Sequence, residues 1–290
     1  MKVFVINVDK DNKRMESLHD HLAEQEIEYE RISAETGPTE EFGNLKHVCH
    51  KGVAGSFASH RKCWKRIIDE DLEMAMILED DARFTDDAPT ILKKVLDELP
   101  EEFDILYLGC SGVCTDEVNF LKNPHHLFLL PNILTRKKSK KVSENLIVPA
   151  SPFQIHAYIL SNKGAKTLLA KKPVTCFGDY DLSIFDDLHM YACKPSIATQ
   201  YEKFDSHQAQ GNFPYLLSRF MNVEPINTQY YRLFGTIIIS PITVSLGVAI
   251  SLFPQLFILL LPDLYYSMEH IVSILAIVFV LKCVYMLNVS

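Results

Sequence analysis

The eleven residues from Met74 to Phe84 constrain the fold of this chain more than any other segment. They begin as an uncharged run and continue into three consecutive carboxylates, Glu79, Asp80 and Asp81. An apolar run of this length is typical of a strand buried on both faces of a parallel sheet. Its last residues then emerge at the edge where open α/β sheets hold their ligands.

The three adjacent carboxylates predict a metal site. Like charges repel one another, so a chain that groups them usually supplies a cation, and hard oxygen ligands suit Mg²⁺ or Mn²⁺. Because such ions keep positions open for phosphate oxygens, Glu79, Asp80 and Asp81 are the predicted ligands of a metal–diphosphate clamp. The alternative is an acidic strand-to-loop turn in which one carboxylate caps the next helix.

The flanking segments predict alternating strands and helices. A strand over Val3–Val8 would leave Asn7 and Asp9 at its exit, where a nucleotide could meet them. A helix over Lys13–Gln25 and a strand over Ile27–Ile32 complete a right-handed βαβ unit. Further along we expect a helix over Val53–Ile68, a helix with Asp87 as its N-cap, strands over Phe103–Leu108 and Ile155–Leu160, and a helix over Gly164–Ala170. The order predicts an α/β fold.

Two more carboxylates, Asp179 and Asp181, stand beside a predicted helix start after Pro173. Helix N-termini favour acidic side chains, so N-capping explains Asp179 especially well. The spacing of Asp179 and Asp181 alone predicts no other role for them.

Charge is unevenly distributed along the chain. Residues 1–232 hold 28 of the 29 Lys and Arg and 35 of the 37 Asp and Glu, a balance of 28 − 35 = −7. Such an acidic body argues against a nucleic-acid partner. The seven cysteines are an odd number without C-x-x-C spacing, so we expect reduced thiols in a cytosolic compartment.

The last 58 residues are nearly uncharged. The run Leu233–Leu261 is long enough to cross about 30 Å of hydrocarbon, and Ile271–Leu281 continues it. We therefore predict a catalytic domain over 1–220 and a mainly helical hydrophobic tail over 221–290. The tail would attach through residues 233–289 to the cytoplasmic face of a membrane, as a helical hairpin or as kinked helices lying in one leaflet. An oligomer interface is the alternative.

Five segments of the chain form an ordered set of motifs: Phe4-Val5-Ile6-Asn7-Val8-Asp9 with Arg14-Met15, Ala34-Glu35-Thr36-Gly37, Gly55-Ser56-Phe57-Ala58-Ser59-His60, Ile77-Leu78-Glu79-Asp80-Asp81, and Ala157-Tyr158-Ile159-Leu160-Ser161 with Gly164-Ala165, followed by Asp179 and Asp181. This set resembles glycosyltransferase family 25, which includes bacterial lipooligosaccharide galactosyltransferases and collagen galactosyltransferases. The likeness covers roughly residues 1–210, and an ordered set is more specific than any single motif. Lys10, Ala54 and the region 110–150 depart from the family pattern.

The resemblance implies a GT-A-type (Rossmann-like) nucleotide-sugar-binding domain, a UDP-sugar donor, a divalent metal and inversion at the anomeric carbon. It implies that Asp81, helped by Asp80 or Glu79, holds the metal, and that Asp181 or Asp179 is the catalytic base. The implied nucleotide-binding residues are Asn7, Asp9, Arg14, His60 and Arg61. For Arg14 a solvated helix face remains the alternative, and His207 is either a further metal ligand or a surface residue.

These expectations combine into a glycosyltransferase that moves a hexose, galactose first, from a UDP-sugar to a glycan acceptor in lipooligosaccharide or lipopolysaccharide biosynthesis. Two other classes remain open from the sequence. One is a metal-dependent phosphohydrolase that uses the acidic cluster to activate water. The other is a non-catalytic membrane scaffold that binds a nucleotide-sugar without turnover.

Overall fold

The computed structural model describes residues 1–47, 49, 51–113, 139–174, 178, 182, 187–201, 231–233, 237–239, 241–260 and 268–289. These residues form two units. Unit 1 comprises Met1–Thr36 and Gly55–Phe204, and unit 2 comprises Gly37–Ala54 and Asp205–Ser290. The division at residue 220 drawn from composition stays a prediction.

The elements follow the chain as short strands separated by helices. The helices are α1 (Asn12–Glu24), α2 (Lys51–Asp69), α3 (Ala88–Glu98), α4 (Asn162–Ala170), α5 (Pro241–Leu252) and α6 (Met268–Val289), with 3₁₀ segments at Glu40–His47 and Pro254–Leu260. The strands are β1 (Lys2–Asn7), β2 (Glu30–Ser33), β3 (Met74–Glu79), β4 (Ala82–Phe84), β5 (Ile105–Tyr107), β6 (Ser111–Val113), β7 (Lys140–Lys141), β8 (Leu146–Val148), β9 (Ser151–Phe153), β10 (Ala157–Ser161), β11 (Met190–Cys193), β12 (Ala198–Gln200), β13 (Tyr231–Leu233) and β14 (Ile237–Ile239).

Eight strands form the central sheet of unit 1, in the order β2-β1-β3-β10-β5-β11-β8-β7. The strands β2, β1 and β3 are parallel, whereas β10 runs antiparallel to both of its neighbours, β3 and β5. The α/β class is confirmed, but the sheet is mixed rather than parallel. Because β10 is reversed, its first residues lie beside the carboxyl ends of β3 and β5.

The apolar run before the three carboxylates forms β3, as expected. Ala75, Met76, Ile77 and Leu78 are all buried, since β3 lies between β1 and β10 and is covered on its faces. Over one face packs a cluster that includes Leu18 and Leu22 of α1, four residues apart on one side of the helix. Complete burial of such a leucine stabilises the fold by about 1.5–3 kcal/mol.

Local sequence patterns predict most helix positions to within a few residues. The predicted helices at Lys13–Gln25 and Val53–Ile68 appear as α1 and α2. Asp87 is the N-cap residue of α3 with a proline in the first turn, although its side chain makes no capping hydrogen bond. The short ribbon in which β4 pairs with β12 was not anticipated from sequence.

The structure corrects the predicted membrane attachment. Among the described residues, none of the helices has the length and apolar character required to cross a bilayer. The uncharged run from Leu233 instead contributes to the β13–β14 ribbon, the helix α5 and a 3₁₀ segment that begins at Pro254. The prediction of a cytoplasmic-face location through a tail anchor over 233–289 is therefore wrong. Within the uncharged run, prolines begin two of the elements, Pro241 in α5 and Pro254 in the 3₁₀ segment.

The cysteines also differ from expectation. Cys49 and Cys110 each take part in a disulfide bond, so the prediction of reduced thiols throughout the chain is wrong for these two residues. Cys63, Cys193 and Cys283 are free thiols. Burial raises the pKa of Cys63 and of Cys193 to about 12, so both remain protonated and unreactive at neutral pH.

Candidate functional site

The candidate site lies where β1 and β3 end side by side. Ile6 of β1 is opposite Glu79 of β3, so Asn7 and the residues after Glu79 leave the sheet together. The following helix α1 supplies Arg14, and α2 supplies Ser56 and His60. This is the carboxyl edge at which the sequence predicted a ligand.

Asp80 holds this edge together through hydrogen bonds. Asn7 Nδ2 donates to its Oδ2 at 2.8 Å, and Arg14 Nε donates to its Oδ1 at 2.7 Å. The Asp80 side chain is only 8% exposed, so these are buried, charge-assisted contacts. Because both oxygens already bind protein groups, Asp80 acts in this structure as an anchor for β1 and α1.

Arg14 supplies a positive charge to the carboxylate cluster. Its Nη2 lies 2.5 Å from Asp80 Oδ1 and 3.0 Å from Asp81 Oδ2, and its side chain is 12% exposed. Burial opposes the charge, but the carboxylates of Asp80, Asp81 and Glu79 outweigh it and raise the pKa of Arg14. The three neighbouring carboxylates were expected to require a cation. Arg14 therefore supplies part of that positive charge from the protein itself.

Asp81 keeps one oxygen open. Its Oδ2 accepts from Arg14, while its Oδ1 is buried and has no hydrogen-bond partner in the described part of the chain. Burial, followed by the charges of Glu79 and Asp80, raises the pKa of Asp81 to about 7 against the opposing effect of Arg14. A buried acceptor of this kind is satisfied by a proton or by a cation.

Glu79 is held from α2. Its Oε1 lies 3.1 Å from His60 Nε2 and accepts from Ser56 Oγ at 3.3 Å. Burial opposes ionisation, but the hydrogen bond with His60, electrostatic interactions with the His60 and His156 rings, and the charge of Arg14 lower the pKa of Glu79. Glu79 is thus ionised beside Asp81, where its charge contributes to the raised pKa of that residue.

His60 and Arg61 both face protein groups in this structure. His60 is fully buried, with Nδ1 3.0 Å from the hydroxyl of Tyr158. Arg61 is also buried; its Nη1 donates to the Leu168 carbonyl at 3.3 Å and its guanidinium lies over the Trp64 ring. Their predicted contacts with a nucleotide stay predictions.

A second polar network surrounds the exit of β1. Arg31 Nε donates to Asn7 Oδ1 at 2.9 Å, and Arg31 Nη2 donates to Asp9 Oδ1 at 2.7 Å. The hydrogen bonds from Arg31 and then from Ser33 lower the pKa of Asp9. Asn7 and Asp9 are therefore brought together as expected, but Arg31, which joins them, was missed because it lies on the neighbouring strand.

His156 immediately precedes β10 and lies beside Glu79, whose backbone N–H donates to the His156 carbonyl at 2.8 Å. Burial lowers the pKa of His156, against the opposing effects of Glu79 and of a hydrogen bond with the Ala198 backbone. Its ring is packed against Gly109. A Cβ atom at Gly109 would lie 2.4 Å from His156 Nε2 and 2.3 Å from the Ala198 carbonyl oxygen.

Substitution of Gly109 by alanine is therefore expected to lower the free energy of unfolding by about 1–3 kcal/mol, because the added methyl group overpacks the contact with Ala198. Urea denaturation measures this loss. Gly37→Ala is the matched control, since a Cβ there would meet nothing closer than Lys51 Cγ at 4.0 Å. An equal loss in both variants would show that close packing at Gly109 is not the cause.

The donor set fits a divalent cation only in part. No group of three or more His, Cys, Asp or Glu side chains is arranged to hold a metal among the described residues. Asp80 uses both oxygens on the protein, whereas Asp81 Oδ1 remains open. One or two carboxylates completed by substrate phosphates and water are a usual Mg²⁺ environment, so Asp81 suits such an ion. Asp179, Asp181 and His207 lie outside the described residues.

The raised pKa of Asp81 predicts a pH dependence of stability. In the folded protein Asp81 titrates at about 7, compared with its ordinary value of 3.8, so the folded state binds more protons between these values. Its contribution to the free energy of unfolding is thus expected to fall as the pH rises from about 4 to about 7. Denaturation with a metal chelator present should show a weaker fall for Asp81→Asn than for the wild type. Identical pH profiles would contradict the assignment.

Comparison with known proteins shows which family the first 175 residues resemble. The sequence model of glycosyltransferase family 25 (LPS biosynthesis protein) matches residues 1–175, more than half of the chain. Human procollagen galactosyltransferase 2 is 25% identical over 191 residues, which cover 59% of this chain and 28% of that protein. Procollagen galactosyltransferase 1-A of Xenopus laevis is 28% identical over 192 residues, which cover 60% of this chain and 28% of that protein.

Another relative carries a different description. The mouse protein named inactive glycosyltransferase 25 family member 3 is 26% identical over 192 residues, which cover 60% of this chain and 29% of that protein. The match thus spans less than a third of the length of each of these relatives. The solved structure of A197 from STIV aligns with a TM-score of 0.37 and 11% identity, over 73% of this chain and 100% of the A197 chain. A similarity this low does not assign a fold. From the family match over residues 1–175, this chain belongs to glycosyltransferase family 25.

Proposed function

We propose that this chain transfers a hexose, with galactose as the first candidate, from a UDP-sugar to a hydroxyl group of a glycan acceptor. Family membership supports the reaction class, and the names of the procollagen galactosyltransferases support the sugar. The structural observation that carries the proposal is the open, buried Oδ1 of Asp81 at the carboxyl edge of the sheet. We also propose that the mixed sheet of unit 1 is of the GT-A type.

The side chains around Asp81 are arranged to hold it still. Arg14 donates both to Asp80 and to Asp81 Oδ2, and Ser56 of α2 donates to Glu79. These hydrogen bonds hold Asp81, and with it Oδ1, in one position. Asp81 would hold Mg²⁺ or Mn²⁺ through this atom. When bound, such a cation neutralises the negative charge that develops on the diphosphate as the bond to the sugar breaks. Arg14 adds a second, permanent positive charge at the same edge.

The transfer itself is proposed to invert the anomeric carbon. The acceptor oxygen forms its bond to that carbon from the face opposite the diphosphate, and the bond to the diphosphate oxygen breaks. The proton of the acceptor hydroxyl passes to a carboxylate, for which Asp181 or Asp179 is the predicted base. The assignments of Asp181 and Asp179 as candidate bases stay predictions.

The acceptor is proposed to be a lipooligosaccharide or lipopolysaccharide glycan, following the family description. The test incubates the full chain with Mn²⁺, each of several UDP-hexoses, and either a lipooligosaccharide extract or a collagen peptide. Transfer from one donor to the extract, with the opposite anomeric configuration in the product by NMR, is the expected result. Transfer to the collagen peptide alone would overturn the acceptor, and retention of configuration would overturn the mechanism.

A second candidate function is binding of a nucleotide-sugar without turnover. The observation that favours it is that relatives of similar identity carry the word inactive in their names. Calorimetry separates the two candidates. Saturable binding of a UDP-sugar with no UDP release, in the presence of metal and acceptor, would support the non-catalytic function.

A further inference from the structure

We propose that Tyr158 is a positioning residue of this site, which fixes the tautomer of His60 and, through His60, the orientation of Glu79. The inference rests on the proposed function for its effect on turnover. The hydrogen-bond relay on which it is built, Trp64–Tyr158–His60–Glu79, is a property of the fold and can be measured without a substrate. We use the name "relay" for these four residues.

The first step of the relay follows from Trp64. An indole N–H can only donate, so at 2.7 Å the Tyr158 oxygen must accept from Trp64 Nε1. Both side chains are almost completely buried. Burial also raises the pKa of Tyr158 well above its ordinary value, so its hydroxyl keeps a proton of its own to donate.

The second step sets the tautomer of His60. The Tyr158 oxygen lies 3.0 Å from His60 Nδ1, and a hydroxyl that accepts from Trp64 still has its own proton to donate to this nitrogen. If Nδ1 accepts, the proton of the neutral ring is on Nε2. That atom lies 3.1 Å from Glu79 Oε1, so it donates to the carboxylate. The opposite tautomer would direct a nitrogen lone pair at a carboxylate oxygen and is disfavoured.

The third step concerns the Glu79 side chain in the absence of its hydrogen bond from His60. Glu79 is adjacent in the chain to Asp80 and Asp81, and the charge of Arg14 already acts on it. A Glu79 side chain without its donor would be free to compete with Asp81 for Arg14 and for a bound cation. The relay therefore keeps the two carboxylates in separate roles, with Glu79 bound to α2 and Asp81 open.

The experiment replaces Tyr158 by phenylalanine, which retains the buried ring and removes only the hydroxyl. In the wild type, ¹⁵N NMR of the ring nitrogens is expected to show His60 as the neutral Nε2–H tautomer, assigned through the signals lost in His60→Gln. In Tyr158→Phe the Nε2–H preference is expected to weaken, with a fall in kcat/KM of roughly tenfold, the scale of effects from outer-shell partners.

Tyr107→Phe is the matched control. Tyr107 is the residue opposite Tyr158 on β5, is equally buried, and its hydroxyl faces Met190 Sδ at 3.9 Å. We expect the His60 tautomer of this variant to match that of the wild type. An unchanged tautomer in Tyr158→Phe, or an Nδ1–H ring in the wild type, would overturn the relay. The second outcome decides the question even if the variant does not fold.

The spectroscopic result also separates this proposal from the proposed function. A chain that shows the predicted tautomer but turns over no UDP-sugar would retain the relay and refute the glycosyltransferase assignment. A chain that turns over normally after Tyr158→Phe, with the tautomer changed, would refute the role of the relay in turnover.

Discussion

Replacing Asp81 by asparagine is expected to lower kcat/KM for the donor by about 100- to 1,000-fold, the usual cost of removing one stabilising group from a developing charge. The substitution is nearly isosteric, but the amide carries no negative charge and cannot hold a cation in the same way. Because the wild-type carboxylate is buried with an unpaired Oδ1, its removal is not expected to reduce stability. Loss of activity should therefore occur in a folded protein.

Steady-state kinetics of UDP release measure this effect, with urea denaturation of the same preparations. Asp97→Asn makes the same chemical change on an exposed position of α3 and serves as the control. We expect wild-type kinetics for the control. A kcat/KM for Asp81→Asn within a fewfold of the wild type would show that the open oxygen is not part of the site.

Replacing Arg14 by methionine is expected to lower the free energy of unfolding by roughly 3–5 kcal/mol, the cost of removing one partner of a buried ion pair. The side chain of Arg14 is 12% exposed and contacts both Asp80 and Asp81. Without the guanidinium, three neighbouring carboxylates, Glu79 included, would remain without this cation. Methionine fills a similar volume, so little of the loss should come from a cavity.

Urea denaturation near neutral pH measures the loss, and Arg66→Met is the matched control. Arg66 also binds two carboxylates, Glu30 and Glu70, but its side chain is 35% exposed. Exposed pairs contribute about 0–1 kcal/mol, so the control should lose far less. Similar losses in the two variants would contradict the special position of Arg14 within the carboxylate cluster.

Local sequence signals were sufficient for the elements that form the site. The apolar run before Glu79 predicted β3 and the edge at which it ends, and helical spacing predicted α1 and α2. Asn7 does contact the carboxylate of Asp80, because parallel strands end at the same side of a sheet. Side chains that follow the ends of neighbouring parallel strands therefore lie close together at this edge of the sheet.

The features that were missed depend on contacts between distant parts of the chain. The reversed β10 brings Tyr158 next to α2, 98 residues from His60 in sequence, and no local pattern encodes that pairing. Arg14 was predicted as a nucleotide-binding residue, with a solvated helix face as the alternative, but its contact with Asp80, 66 residues away, was not predicted. The membrane prediction failed for a related reason, because an uncharged composition does not specify how prolines divide a run into elements.

The most direct test of the central claim is UDP release by the wild-type chain from a panel of UDP-hexoses, with Mn²⁺ and with or without a lipooligosaccharide extract. We expect release from one preferred donor, UDP-galactose first, that increases with the acceptor and is abolished by a chelator. Folded protein that binds a UDP-sugar but releases no UDP from any donor, with metal and acceptor present, would contradict the proposed glycosyltransferase activity.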